Sequence, residues 1–295
     1  MDKDFKIIAL VGLPRSHHGT TTHALLYDWL SAAGYQVLLE PQVAQALGVN
    51  NDGVMPLSDL GQQADLVVVI GGDGNLLSAA QTLVQHSTRL IGVNRGHLGF
   101  LTDLDPDTAQ QQLAAVLAGH YQQEERLVLK ASVNTADQQC QQHSLALNEV
   151  VLHPDQVAHM VEFEVYIDNR FTFAQRADGL ILSTPTGSTA YSLSGGGPVL
   201  SPTLNAILLM PMFPQSLSAR PLVIDGDSCI QLCFSALPHN PTLKLSCDGH
   251  ITLPIRPDEH VVIQKSVHQL SLIHPLGYDY FNRLSAKLGW LKKLF

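Results

Sequence analysis

The sequence predicts an α/β domain followed by a β-rich domain, and a change of pattern part-way along the chain carries that reading. In the first third, short apolar runs alternate with stretches of helical spacing, which is the grammar of βαβ units on a parallel sheet. Beyond Gly119 the period falls to two, and short strands punctuated by Pro and Gly replace the helices. A length of 295 residues allows each domain its own core. The boundaries expected are 1–122 for the α/β domain, 123–275 for the β-rich domain, and 276–295 for a C-terminal helix that packs back on the first domain.

Taking the elements in order, Lys6 to Gly12 reads as a strand and Thr20 to Ala33 as a helix stopped by Gly34. Tyr35 to Glu40 is the next strand. Asp65 to Ile70 is an unbroken β-branched run, as a parallel strand buried on both faces requires, and it ends on Gly71-Gly72-Asp73-Gly74. Leu76 to His86 has helical spacing, Arg89 to Asn94 is a strand, and Asp105 with Pro106 reads as the cap and first position of a helix to about Ala118. In the second domain, Val161, Phe163, Val165 and Ile167 alternate with Glu162, Glu164, Tyr166 and Asp168, a strand with one wet face. Asp168-Asn169 is a hairpin turn. Further strands are expected at Leu180–Ser183, Ser228–Phe234, Leu243–Cys247, Val261–Gln264 and Leu270–Ile273. Tyr278 to Phe295 returns to helical spacing with a basic end.

Composition narrows the function. Hydrophobic residues at 45% and charged residues at 15% describe a folded chain. Seventeen Lys and Arg against 26 Asp and Glu give a net charge of -9, which repels phosphate polymers, so no nucleic-acid partner is expected. An anionic nucleotide would then need backbone N–H groups, a few placed Arg residues or a cation. Cys140, Cys229, Cys233 and Cys247 form no CxxC and have no His at zinc spacing, so reduced thiols are expected. The apolar run Ile7–Val11 is stopped by Gly12 and Pro14 before it could act as a leader, and Ala206–Phe213 is too short to span a bilayer. A cytoplasmic protein with no membrane partner follows.

The glycine-rich turn Gly71 to Gly74 lies between a buried strand and a helix N-terminus. Glycines let several N–H groups approach one anion, and the helix dipole adds attraction. A carboxylate at Asp73 would repel a phosphate unless a cation intervenes or the acid takes a proton from an incoming hydroxyl, both of which belong to phosphoryl transfer. The plainer alternative makes Asp73 the cap of the helix. No GxxxxGK[ST] occurs, and Leu77 stands where a GxGxxG would need its third glycine. The second constellation runs from Asp178 to Pro198. Its hydroxyl-rich loop Ser183-Thr184-Pro185-Thr186-Gly187-Ser188-Thr189-Ala190-Tyr191-Ser192 could surround a polar planar ligand, with Tyr191 free to stack. The other reading is ordinary Ser/Thr turn chemistry. A serine nucleophile lacks the GxSxG elbow.

Gly71–Gly74, Asn94-Arg95-Gly96-His97-Leu98-Gly99-Phe100-Leu101, Asn148-Glu149 and the Asp178–Pro198 block together resemble the ATP-dependent NAD kinase family, closest to its proteobacterial branch, across nearly the whole chain. The GGDG turn alone is shared with diacylglycerol and sphingosine kinases; TPTGSTAYSLS makes the resemblance specific. It implies an NAD kinase/diacylglycerol kinase-like fold with a nucleotide site in the crevice between the domains, and an enzyme that phosphorylates the adenosine 2'-hydroxyl of NAD with ATP. Implied with it are a divalent cation, Mg2+, bound mainly through ATP phosphates with no protein metal ligand, and a homo-oligomer, dimer or tetramer. By the same resemblance Asp73 activates the hydroxyl, and Gly71, Gly72, Gly74 and Asn75 hold phosphates. Asn148 and Glu149 bind the adenosine ribose, while Thr189, Ala190, Tyr191, Ser192, Leu193 and Ser194 surround adenine. Asp178 lies toward the nicotinamide end, and Arg176 near phosphates, as in members that prefer ATP over polyphosphate. His159 and His250 complete the NAD contacts.

Each assignment has a plain alternative: Glu149 as a strand end, Arg176 with Asp178 as a surface ion pair, His159 as a structural histidine. His153 and His159 lack metal-site spacing. Asn75 stands where many relatives carry Thr, Ser78 where many carry a basic residue, and His250 where Gln is more usual. Two rivals use the same features: a GGDG-type lipid kinase, which would need an apolar groove or membrane-docking face, and a non-catalytic NAD(P)H sensor.

Overall fold

Leu66–Ile70, apolar throughout, becomes a fully buried strand of a parallel sheet, and the rest of the first unit is arranged around it. The computed structural model describes residues 5–12, 17–96, 98–156, 159–234 and 242–290, the side chains of 17–21 excepted. His97 and Pro14 lie outside these residues, as does the basic end of the tail at 291–295.

In chain order the elements are β1 (Ile7–Val11), α1 (His17–Ala32), β2 (Gln36–Leu39), α2 (Pro41–Leu47), α3 (Leu57–Gln63), β3 (Leu66–Gly71), α4 (Asp73–Leu83), β4 (Arg89–Asn94), α5 (Ala109–Leu117) and β5 (Tyr121–Arg126). The β-rich part follows with β6 (Leu129–Asn134), β7 (Cys140–Ala146), β8 (Glu149–Pro154), β9 (Val161–Ile167), β10 (Arg170–Ala177), β11 (Gly179–Ser183), the one-turn α6 (Tyr191–Ser194), β12 (Ala206–Met212), β13 (Leu222–Asp225), β14 (Ile230–Phe234), β15 (Leu243–Cys247), β16 (Ile251–Ile255) and β17 (His260–Lys265). The chain closes with β18 (Leu270–Pro275) and α7 (Tyr280–Lys287).

Met1–Glu125 together with Leu270–Phe295 form one unit, and Arg126–Gln269 the other. In the first, a six-stranded sheet has the order β2-β1-β3-β4-β18-β5. β1–β2, β1–β3, β3–β4 and β4–β18 pair in parallel. The helices bury one face against this sheet, with Leu26, Leu30, Val43, Leu113 and Val116 joining Leu66, Val68 and Ile70 in a single core. Two details depart from the expectation. Helix α5 begins at Ala109 and not after Asp105, because the Asp105 carboxylate accepts from the Asp107 N–H (2.9 Å) and closes a turn first. Strand β18, placed by its sequence position beside the β-rich elements, pairs instead with β4 and lies between β4 and β5 within the first-unit sheet, with Leu270–His274 buried.

The second unit holds two six-stranded sheets, β10-β9-β14-β17-β6-β7 and β13-β12-β11-β8-β15-β16. The expected hairpin is present: Arg170 pairs with Ile167 across Asp168 and Asn169, whose φ values of 50° and 62° belong to a type I′ turn. Inward residues of both sheets, among them Val150, Leu152, Val165, Leu180, Leu182 and Ile263, form one core.

Candidate active site

In the first unit, Gly72 caps α4 and Asp73 is its first residue, so Asp73 does not cap the helix. Its carboxylate turns to the segment after β4. Asp73 Oδ2 accepts from the Phe100 N–H (2.6 Å), and Oδ1 accepts from the Leu101 N–H (3.1 Å) and the Thr102 hydroxyl (3.1 Å). A carboxylate offers about four acceptor positions, so one remains on Oδ2. The side chain is partly exposed. Glycine at 99 is what permits the contact: a Cβ there would stand 2.0 Å from Asp73 Oδ1. A Cβ built on Gly72 or Gly74 would meet open space, and while the Asn75 and Leu76 N–H groups donate to Gly72 O (2.9 and 3.3 Å), the N–H groups of Asp73 and Gly74 lie before the first carbonyl of α4 that could accept them. Asn75 folds back against Gly71, whose Cβ would meet Asn75 Cγ at 2.5 Å. Arg95 donates its backbone N–H to Gly71 O (3.1 Å), and its guanidinium donates to the Thr22 hydroxyl.

The second unit carries a pocket of about 540 Å³, a size suited to a nucleoside-sized ligand. Strand β8 supplies one wall by alternation: Val150 and Leu152 face the core, while Glu149, Val151 and His153 face the pocket. Asp178, Tyr191 and His159 line it too. Glu149 is 8% exposed, and its Oε2 is buried without a hydrogen-bond partner. Burial, then repulsion from Asp248, pushes its pKa up to about 7, and a backbone hydrogen bond at Tyr191 offsets only part of this.

Asp248 is the brace behind this wall. The β15–β16 turn puts Asp248 and Gly249 at φ 51° and 69°, and the Asp248 carboxylate accepts from the N–H groups of Leu147 (2.8 Å), Asn148 (2.8 Å) and Glu149 (3.1 Å). The hydroxyl-rich loop braces the same segment. Thr184 donates its hydroxyl to Leu147 O and its N–H to Asn148 O (2.9 Å), and a Cβ at Gly187 would lie 2.1 Å from Asn148 O.

The family models for the ATP-NAD kinase N-terminal and C-terminal domains match residues 8–121 and 147–275. The chain is 58% identical to the NAD kinases of Pectobacterium atrosepticum and Escherichia coli O1:K1, covering all of each. The chain belongs to the ATP-NAD kinase family. Its fold resembles that of yeast NADH kinase complexed with NADH (TM-score 0.86, 24% identity, 100% of this chain and 93% of that one). A similar match is the NAD kinase from Archaeoglobus fulgidus in complex with ATP (TM-score 0.71, 23% identity, 97% and 100%).

Against the NAD kinase expectation, the structure gathers Glu149, His159, Asp178 and Tyr191 on one pocket and leaves others aside. Ser192 is fully buried and bonds Gly187 O (3.3 Å), and the Thr189 hydroxyl bonds Thr186 O (3.2 Å). Ser183, Thr184, Thr186 and Ser188 are likewise buried, so most of the hydroxyl density folds the loop and does not face the pocket. Ala190 and Leu193 are half-buried, and Ser194 is exposed. Arg176 pairs with Glu162 (3.7 Å), both about half exposed, and not with Asp178. His250 is exposed at the turn while its neighbour Gly249 reaches the pocket. Sequence reasoning missed Thr102 and Asp248 as braces, and Val151, His153 and Ser246 as wall. The period of two from Glu149 to His153 was the signal for the wall; the braces join residues 29 and about 100 positions apart, which no local pattern shows.

Proposed function

We propose that the chain is an NAD kinase, transferring the γ-phosphoryl group of ATP to the adenosine 2'-hydroxyl of NAD to give NADP and ADP. Full-length identity of 58% to curated NAD kinases supports this, and the braced Asp73 carboxylate on the glycine turn is the geometric observation that carries it. Three donors fix the carboxylate and leave one acceptor position for a substrate hydroxyl. Asp73 takes the hydroxyl proton as the oxygen attacks the γ-phosphorus, and ADP leaves with the electrons of the broken P–O bond. Gly71, Gly72, Gly74 and Asn75, at the N-terminus of α4, serve phosphate oxygens.

The second-unit pocket suits the uncharged and cationic parts of the dinucleotide. Among the described residues its lining carries Glu149, Asp155 and Asp178 with no Lys or Arg, although Lys244 pairs with Asp155 from nearby. Carboxylates accept from ribose hydroxyls and favour a nicotinamide cation, and they repel phosphate. Asn148 and Glu149 take a ribose, and the half-exposed Tyr191 offers a stacking face.

Both Asp73 oxygens are engaged, so the residues present fit a Mg2+ that would be carried mainly by donor phosphates and would supply charge neutralisation there. Among the described residues no helix is long and apolar enough to cross a membrane, and a cytoplasmic enzyme is proposed. Phe213, Leu217 and Val223 expose 76%, 96% and 43% of their surface at β12–β13, which favours a homo-oligomer.

The test is incubation with ATP, Mg2+ and NAD, followed by reduction of any NADP by an NADP-specific dehydrogenase. Asp73→Asn should keep most NAD affinity and lose turnover by about 10²- to 10⁴-fold. Near-normal kcat in that variant removes the base assignment, and transfer to lipid vesicles without NADP formation selects the lipid kinase.

A further inference from the structure

The base of the proposed reaction is itself held from the far end of the chain. Helix α7 is capped by Asp279, whose carboxylate accepts from the N–H groups of Phe281 (2.9 Å) and Asn282 (3.1 Å). One turn on, Arg283 reaches the segment that braces Asp73. Its Nη1 donates to Gly99 O (3.0 Å) and Thr102 O (2.8 Å), and its Nη2 meets Asp103 Oδ1 at 2.8 Å. A turn later Lys287 Nζ donates to Leu98 O (2.6 Å) and stands 4.8 Å from the Phe100 ring centre.

One peptide unit connects the two ends of this arrangement. The Gly99 carbonyl accepts from the Arg283 guanidinium, and the N–H of the same peptide, on Phe100, donates to Asp73 Oδ2 at 2.6 Å. A cation on the oxygen polarises a peptide and strengthens its N–H as a donor, so the two hydrogen bonds reinforce one another. Arg283 is itself fixed. Its side chain is 14% exposed and lies over the Tyr278 ring at 5.5 Å, and its partner Asp103 is 3% exposed and also bonded to the buried His274. His274 stacks on Tyr278 (4.0 Å) and faces Glu124 at 3.1 Å.

We propose that Arg283 is a positioning residue for Asp73, acting through the Gly99–Phe100 peptide. This rests on the reading of Asp73 as the base of an NAD kinase. The fork of a guanidinium, with two carbonyls on one nitrogen and a carboxylate on the other, sets where the 99–102 segment sits and therefore where the carboxylate points.

The experiment is a double-mutant cycle on the full chain with Arg283→Met and Asp73→Asn. Arg283→Met should lower kcat by about 10- to 10²-fold with both KM values changed less than about threefold, the size expected for a displaced catalytic group. In the double variant the loss should be no greater than in Asp73→Asn alone, because the arginine has nothing left to position. Amide exchange at Phe100 and Leu101 should quicken in Arg283→Met. If that variant does not fold, Arg283→Lys, which keeps the charge toward Asp103 and loses the fork, carries the same cycle. Wild-type kcat in the folded arginine variant, or losses that multiply in the double variant, overturn the inference while leaving the kinase reading intact. Wild-type protein that forms no NADP from ATP and NAD overturns that reading instead.

Discussion

Substituting Gly99→Ala tests the brace on Asp73 with the smallest possible change, one methyl group. The backbone at 99 is not in the left-handed region, so alanine brings no conformational strain there. What it brings is a Cβ 2.0 Å from Asp73 Oδ1, 2.7 Å from Asp73 Cγ and 2.7 Å from Thr102 Oγ1. Heavy atoms of this kind do not approach within about 3 Å, so either the carboxylate or the 99–102 segment must move by about 1 Å. Both movements stretch the 3.1 Å bonds to Leu101 and Thr102 beyond hydrogen-bonding range. Misplacement of a catalytic group by about 1 Å costs on the order of 10²-fold in rate. The carboxylate is partly exposed and regains water, so the fold should lose no more than about 2 kcal/mol. The coupled NADP assay should therefore show kcat down by about 10²-fold with a melting temperature within a few degrees of wild type. A folded Gly99→Ala protein with kcat within threefold of wild type would refute the claim that these three donors define the working position of Asp73.

Glu149 links pH to both stability and binding. Its folded pKa of about 7 exceeds the ordinary 4.5, so stability is present below about pH 4.5 and is lost as pH rises through 7. Glu149→Gln should thus stabilise the free protein by up to ~3 kcal/mol at pH 8 and by little at pH 4.5, read from urea midpoints; an equal gain at both pH values contradicts the buried, charged site. If the ionised carboxylate accepts from the ribose, the NAD KM should fall about tenfold from pH 6 to pH 8, following the ionised fraction. A KM that keeps the same pH dependence in Glu149→Gln assigns it elsewhere. Asp248→Ala removes the acceptor of three N–H groups and places alanine at φ 51°, which should cost roughly 3–5 kcal/mol, with Asp248→Asn losing less; a loss under about 1 kcal/mol would mean the 147–149 segment holds itself.

What the sequence made legible was set by local periodicity. The β-branched run before Gly71 read as a strand buried on two faces, and the alternation from Val161 to Ile167 as one with a wet face, so the fold class and the glycine turn were readable. Helices α2 and α3 were not, since each is seven residues long and too short for an apolar stripe to repeat. The density of Ser and Thr after Gly179 was legible as chemistry but not as direction. Whether a hydroxyl faces a ligand or the backbone depends on the loop's own turns, and Ser188, bonded to Pro185 O at 2.6 Å and to Leu200 N at 2.9 Å, faces the backbone. The ion-pair partner of Arg176 was not readable for a related reason: Glu162, and not Asp178, is supplied by the pairing of β10 with β9, a register the sequence does not print.

Each unit uses the same device in opposite senses. In the first, a remote segment supplies two amides and a hydroxyl to fix one acid, Asp73, and the acid is the group proposed to react. In the second, one acid, Asp248, takes three amides to fix a remote segment, and the segment carries the group proposed to bind, Glu149. Backbone N–H groups suit both tasks because they have no rotamers to lose and cannot titrate. The energetic consequences differ, however. Asp73 keeps contact with solvent, so disturbing it costs rate more than folding, whereas Asp248 is 5% exposed and disturbing it leaves unmatched amides around a buried strand end. The same negative charge on Asp248 that orders the Leu147–Glu149 amides also opposes the ionisation of Glu149 next to it. Order in the Leu147–Glu149 segment and a carboxyl poised near neutral pH are thus two effects of one side chain, and a substitution that removes the charge must change both together.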